Sequence, residues 1–137
     1  MMYYAVLDTN VLISAMLKNN SVPGLVVAEA LKGNIIPLIN DAIITEYEDV
    51  FSRPKFSFDP KRVNIFLHEF IKRAIHVEGD ILEEEIPDKD DAVFYAVLME
   101  QRKDTDAYLV TGNMKHFPGR TYIVTPKEML DIIEDGS

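Results

Sequence analysis

Apolar and polar positions follow two periods along this chain, and the changes of period mark its elements. Tyr3–Leu7 is an unbroken, β-prone apolar run, the pattern of a strand buried on both faces. It ends on Asp8, and a helical pattern begins at Val11 and runs to Leu17. Ser21 followed by Pro23 predicts a capped helix start, with the helix running to about Leu31 and stopping at Gly33. Ile35–Ile39 predicts a strand, although Pro37 cannot donate to a ladder. Asn40 caps a helix carrying Ile43, Ile44, Tyr47 and Val50. Asp59-Pro60 opens another, whose Val63, Phe66, Leu67, Phe70, Ile71 and Ala74 recur at helical spacing and face a core. From a cap at Asp88 to about Arg102, Val93, Phe94, Ala96, Val97 and Leu98 cover much of a helix's circumference, which predicts deep burial. Ala107–Val110 and Tyr122–Val124 read as short strands. Thr125-Pro126-Lys127-Glu128 reads as a capping box. Strands alternating with helices predict an α/β fold, a parallel sheet with helices on both faces.

Composition narrows the class. At 137 residues and 47% hydrophobic content the chain fits one domain, 1–137, with a real core rather than a disordered segment. It has no apolar run of about 18 residues, so no membrane span is expected. No basic segment precedes the first apolar run, so no secretory signal is expected. Cysteine is absent, which excludes disulfides and thiolate metal sites and suits a cytoplasmic location. The net charge of −9 argues against holding nucleic acid by bulk electrostatics.

That charge is segregated. Arg53, Lys55, Lys61, Arg62, Lys72 and Arg73 form a basic block. Glu78, Asp80, Glu83, Glu84, Glu85, Asp88, Asp90 and Asp91 form an acidic one, broken by Lys89 alone. Solvated surface accounts for both blocks in ordinary proteins. Pro87 makes the acidic block a loop entering a helix.

Several polar residues fall where an α/β sheet binds ligands, outside the carboxyl ends of its strands. Asp8 ends the first strand, Asp91 lies in the first turn of its helix, and Thr111-Gly112-Asn113 follows the strand at 107–110. Glu46 sits about two turns into its helix. Two readings stay open on spacing alone. In one, Asp8 is a helix cap, Glu46 an exposed helix acid and Asp91 a first-turn acid favoured by the dipole. In the other they converge on one edge, where clustered carboxylates need a cation or a shared proton. Hard divalent cations suit such oxygen ligands.

Motifs carry a family resemblance. Val6-Leu7-Asp8-Thr9-Asn10-Val11-Leu12 resembles the opening motif of the PIN domain nucleases. Glu46-Tyr47-Glu48-Asp49-Val50-Phe51-Ser52-Arg53-Pro54-Lys55-Phe56 resembles the second-acid helix of one bacterial branch, the toxins of toxin–antitoxin systems. Asp88-Lys89-Asp90-Asp91-Ala92-Val93-Phe94-Tyr95-Ala96 resembles its third-acid helix, and Leu109-Val110-Thr111-Gly112-Asn113-Met114-Lys115-His116-Phe117 its fourth motif. The segments follow the family's order over most of the chain, and the Arg-Pro-Lys-Phe stretch is the most specific of them.

The resemblance implies a three-layer αβα sandwich around a central parallel sheet. It implies a metal-dependent ribonuclease that holds Mg²⁺ or Mn²⁺ on three or four acids. Asp8 then matches the first acid, Glu46 the second and Asp91 the third, with Asp90 the near competitor. Asp91 is preferred because Phe94 and Ala96 follow it at the family's spacing. The fourth position, commonly Asp, is Asn113, an amide that coordinates or orients water but brings no charge. Asn10 and Thr111 are expected to hold the acids in place, although a satisfied strand-end hydroxyl is the plainer reading of Thr111. Arg53, Lys55, Lys115 and His116 are the expected guides for the RNA backbone, against plain surface positions. The bacterial branch adds an antitoxin partner and a homodimer as expectations.

Two rivals belong to other classes. A receiver-type signalling domain has similar length and an acidic pocket. It needs a second acid beside the first, an Asp ending a middle strand and a Lys ending the last; Val124-Thr125-Pro126 supplies no such Lys, although Lys127 is near. The other rival is a PIN-like interaction module that keeps the fold without catalysis, a reading the missing fourth acid favours.

Overall fold

Each strand is followed by helical chain, and that order is built into a parallel sheet. The computed structural model of the protein describes residues 2–78 and 89–136. The expected cap Asp88 and the acidic run from Asp80 through Glu85 lie outside these, as does the side chain of Asp90. The strands are β1 (Tyr3–Leu7), β2 (Ile35–Ile39), β3 (Ile75–His76), β4 (Ala107–Val110) and β5 (Ile123–Val124). The helices are α1 (Thr9–Leu17), α2 (Val22–Lys32), α3 (Asp41–Phe51), α4 (Pro60–Ile71), α5 (Lys89–Arg102) and α6 (Pro126–Asp135).

The five strands lie in the order β3-β2-β1-β4-β5, all neighbours parallel. The chain therefore adds strands outward on one side of β1, then crosses to the other. The crevice between the carboxyl ends of β1 and β4 is the point where that direction reverses, the usual ligand position in such sheets. Leu7 pairs opposite Val110 there, and the Asp8 backbone N–H donates to the Val110 carbonyl at 3.0 Å. Helices flank the sheet as a three-layer α/β sandwich: α1 packs on α2 and α2 on α6, while α5 lies on β1 and β4 and touches α3.

The end signals work as their chemistry requires. Ser21 accepts from the Gly24 N–H at 3.1 Å, Asn40 from the Ile43 N–H at 2.9 Å and Asp59 from the Lys61 N–H at 3.1 Å. Thr125 and Glu128 form both bonds of the capping box. Gly33 ends α2 at φ 93°, a left-handed position that glycine adopts without a Cβ clash. Gly24 is needed for another reason: a Cβ there would lie 2.2 Å from the Asn19 carbonyl oxygen.

Some boundaries differ from the sequence reading, for local reasons. The first helix starts at Thr9, directly after Asp8, rather than at Val11. The α4 helix stops at Ile71, so Ala74 packs from the turn that follows. β3 carries no sequence signal because it is two exposed residues paired only with Leu38 and Ile39. That short partner lets Pro37 sit within β2, since among the described residues no ladder to β3 reaches it. On α5 it is Tyr95, with Phe94, Val97 and Leu98, that is fully buried, while Val93 and Ala96 are only half-buried.

One buried contact ties a helix to the site edge. Tyr47 on α3 is fully buried, and its hydroxyl donates to the Leu7 carbonyl at 2.6 Å. Its ring meets Phe70 of α4 and Phe94 of α5 at centroid distances of 6.1 and 6.0 Å. Removing that hydroxyl keeps the rings but leaves the strand-end carbonyl without this donor. Tyr47→Phe should therefore cost about 1–3 kcal/mol, the usual penalty for an unsatisfied buried polar group. Urea denaturation checks this, and an unchanged midpoint would show that the tether contributes nothing.

Candidate active site

Asp8 occupies the N-cap position of α1, yet its carboxylate makes no cap hydrogen bond to that helix. The cap reading of Asp8 is thus corrected: the side chain turns across the sheet instead. The Thr111 hydroxyl donates to Asp8 Oδ2 at 2.7 Å, and the Asn10 amide donates to the same oxygen at 3.1 Å. Asn10 Oδ1 in turn accepts from the Gly112 N–H at 3.1 Å, and the Thr111 hydroxyl accepts from the Asn113 N–H at 3.0 Å. The loop after β1 and the loop after β4 are thereby laced together through one carboxylate. Thr111 is completely buried and fully used, so it positions Asp8 and is more than a plain strand-end hydroxyl.

Asp91, in the first turn of α5, joins this edge through His116. The imidazole Nδ1 lies 3.1 Å from Asp91 Oδ2, an ion pair when the ring is protonated, and the same ring acts electrostatically on Asp8. His116 stands on a short 3-10 turn, Met114–His116, that the loop after β4 leads into. Asn113 precedes that turn with its side chain exposed, and Lys115 is exposed within it. A small groove of about 250 Å³ opens beside them, lined by Asn10, Ser14, Pro23, Gly112, Asn113 and Pro126.

The remaining sequence candidates are placed differently. Glu46 is half-buried on α3, directly before the tethering Tyr47, and so lies on the helix anchored to the end of β1. Among the described residues no three acids or histidines are gathered closely enough to hold a metal ion as they stand. Arg53 and Lys55 lie beyond the end of α3. Arg53 pairs with Asp49 at 3.1 Å and lines a cleft against α4; Lys55 sits over the Phe56 ring at 5.1 Å. None of the residues that hold Asp8 line that cleft. Sequence reasoning missed Tyr47 as the anchor of this edge and His116 as the partner of Asp91. Neither had a local signal, because both bonds join elements distant in sequence.

Electrostatics distinguish Asp8 from a structural acid. Burial pushes its carboxyl above the ordinary Asp range; the Thr111 hydroxyl, the Thr9 backbone, the His116 charge and the Asn10 amide pull it partly back. Among the described residues no Lys or Arg forms an ion pair with it. Buried carboxylates are normally paired or bound to a metal. The Asp8 carboxylate is itself an oxygen donor of the kind that suits a hard cation.

A parallel α/β sheet with a buried acid at its switch point and a second acid at the same edge places a ligand site there without fixing its chemistry. The model of the PIN domain family matches residues 4–115, and the chain belongs to that family. PIN domains are generally nucleases and typically use divalent metals. This assignment removes the receiver-domain reading. Comparisons with curated proteins and with solved structures give no match. No single helix among the described residues is long and apolar enough to cross a membrane.

The sign of the Asp8 shift gives a test. A carboxyl raised in the folded state binds its proton more tightly there than in the unfolded chain. Asp8's contribution to metal-free stability should therefore be fully present below the ordinary Asp range and be lost as pH rises through the folded value. Asp8→Asn removes the charge, and its amide oxygen can accept the same two bonds. In EDTA at neutral pH the variant should be more stable by roughly 1 kcal/mol, the usual scale of one substitution. Its stability should also lose that part of the pH dependence. Melting curves at several pH values decide it, and parallel profiles for the two proteins would remove the strained carboxylate.

Proposed function

We propose that the protein is a metal-dependent ribonuclease that hydrolyses RNA phosphodiester bonds. The observation that carries this reading is Asp8: a buried carboxylate without a Lys or Arg partner among the described residues, oriented by Thr111 and Asn10 at the switch point of a PIN-family sheet. Mg²⁺ or Mn²⁺ would be held by Asp8 and Asp91 with Glu46 from α3, and Asn113 would add an uncharged oxygen. Bound there, the cation would supply charge against the phosphate and a more acidic water.

The protein's own groups have separable tasks. Asp8 Oδ2 already accepts two hydrogen bonds, so its role is to be held still. Asp91 is the carboxylate that orients the attacking water and takes its proton at the outset of in-line displacement. Phosphorus gains that oxygen and loses the bond to the leaving ribose oxygen, which takes a proton from solvent. Lys115 and His116, exposed on the turn beside Asn113, contact the phosphate backbone of the entering strand. The bacterial toxin branch that the motifs resemble adds an antitoxin partner, a homodimer and a cytoplasmic setting to this proposal.

Cleavage of single-stranded RNA should appear with Mg²⁺ or Mn²⁺ and vanish in EDTA. Activity persisting in EDTA would sink the reading. So would inactivity with every divalent metal, in protein shown to be free of a bound partner, which would leave an interaction module without catalysis.

The amide at position 113 can be tested independently of turnover. Asn113→Asp adds a carboxylate at a solvated hard-cation site and should tighten Mn²⁺ binding severalfold. Calorimetric titration of both forms reads this directly. Equal or weaker binding by the Asp form would place Asn113 away from the metal.

A further inference from the structure

The most specific stretch of the sequence, Arg53-Pro54-Lys55-Phe56, makes none of the bonds that hold Asp8. It forms a short 3-10 turn, Pro54–Phe56, and Ser57 follows at φ 52°. Among the described residues Ser57 is the only non-glycine with positive φ. Such a conformation is strained for a residue with a Cβ and often marks a ligand clamp or functional loop. The turn walls a cleft of about 360 Å³ between the end of α3 and α4. Phe51, Phe58, Val63 and Leu67 give the cleft apolar walls, and Arg53 and Ser57 also line it. Phe58 stands 5.6 Å from the Phe51 ring and 5.5 Å from Phe56, on which it stacks.

Arg53 lines this cleft, Lys55 and Lys61 adjoin its lining residues in sequence, and Arg62 lines the neighbouring groove against α1 and α2. All four are exposed, in a chain of net charge −9. Two acids stand with them: the exposed Glu48 lines the cleft, and Asp59 is used on the first turn of α4. Arg53 is held by Asp49 in an exposed pair, the weak kind that solvent screens. Lys55, Lys61 and Arg62 have no carboxylate partner among the described residues.

We propose that this cleft is a second nucleic-acid contact, an exosite for single-stranded RNA that seats a base against Phe58 while Lys55, Lys61 and Arg62 hold neighbouring phosphates. The choice of RNA rests on the ribonuclease reading. Aromatic and cationic residues interleaved over one short stretch are the pattern of single-strand binding surfaces, where rings take bases and cations follow the backbone. The exosite also answers an electrostatic need. The edge at Asp8 and Asp91 repels phosphate, and a separate cationic contact raises the local concentration of the strand.

The test measures binding of a fluorescent single-stranded RNA of about 16 nucleotides to the full chain in EDTA across a salt series. Lys55→Ala/Lys61→Ala/Arg62→Ala, all at exposed positions, should weaken binding at least tenfold at low salt. Each lost phosphate contact lowers the slope of log affinity against log salt by about 0.7, so the triple variant should lose about 2. Asn64→Trp, from an exposed α4 position lining the cleft, should weaken binding severalfold with the slope unchanged. Unchanged affinity and slope in the triple variant overturn the proposal, whether RNA then enters only at Asp8 or the cleft serves an acidic protein. Cleavage by the parent with Mn²⁺ is read in parallel. Binding lost in the triple variant without cleavage by the parent keeps the exosite and removes the ribonuclease reading. Cleavage with unchanged binding does the reverse.

Discussion

A carboxylate buried at the end of the central strand is the constraint on which the site edge depends. Removing a charged group from water is costly unless hydrogen bonds or a counter-charge replace the water. Here Thr111 and Asn10 replace it at one oxygen of Asp8. Thr111 can do so only because Leu7 and Val110 lie in parallel register, which brings the residues after both strands together. Asn10 can do so while also bonding Gly112, so the two loops cannot move apart without breaking both contacts. The geometry of the edge therefore follows from the pairing of β1 with β4, and the chemistry of Asp8 follows from that geometry.

Aromatic packing carries the same edge into the helices. Tyr47 reaches the Leu7 carbonyl with its hydroxyl and touches Phe70 and Phe94 with its ring, so α3, α4 and α5 share one anchor at the end of β1. Glu46 and Asp91 ride on two of those helices. Placing acids on rigid, well-packed elements is how a site keeps its geometry while its charges repel one another.

Charge in this protein is divided in space as it is in sequence. The acids at the switch point repel phosphate, while Arg53, Lys55, Lys61 and Arg62 gather from the turn after α3 into the start of α4. The global charge of −9 describes neither region. Net charge governs long-range association; local groups decide what a surface holds.

Much of the fold was legible in the sequence, because strands and helices announce themselves through local periods and end signals. Ser21, Asn40, Asp59 and the Thr125–Glu128 box cap the helices that their spacing implies. The alternation of elements implied the parallel sheet. Asp8, Asp91 and Asn113 were visible as polar residues beside strand ends or helix starts, and the motif order named the family. Hidden from the sequence were the strand order, the exposed two-residue β3, the bond from Thr111 to Asp8 across the sheet and the seat of His116 on Asp91. Only tertiary structure decided these, because each depends on contacts between residues far apart along the chain. A cap bond is chosen by neighbours three residues away, whereas Asp8 was claimed by Thr111, which only the folded sheet brings within 2.7 Å.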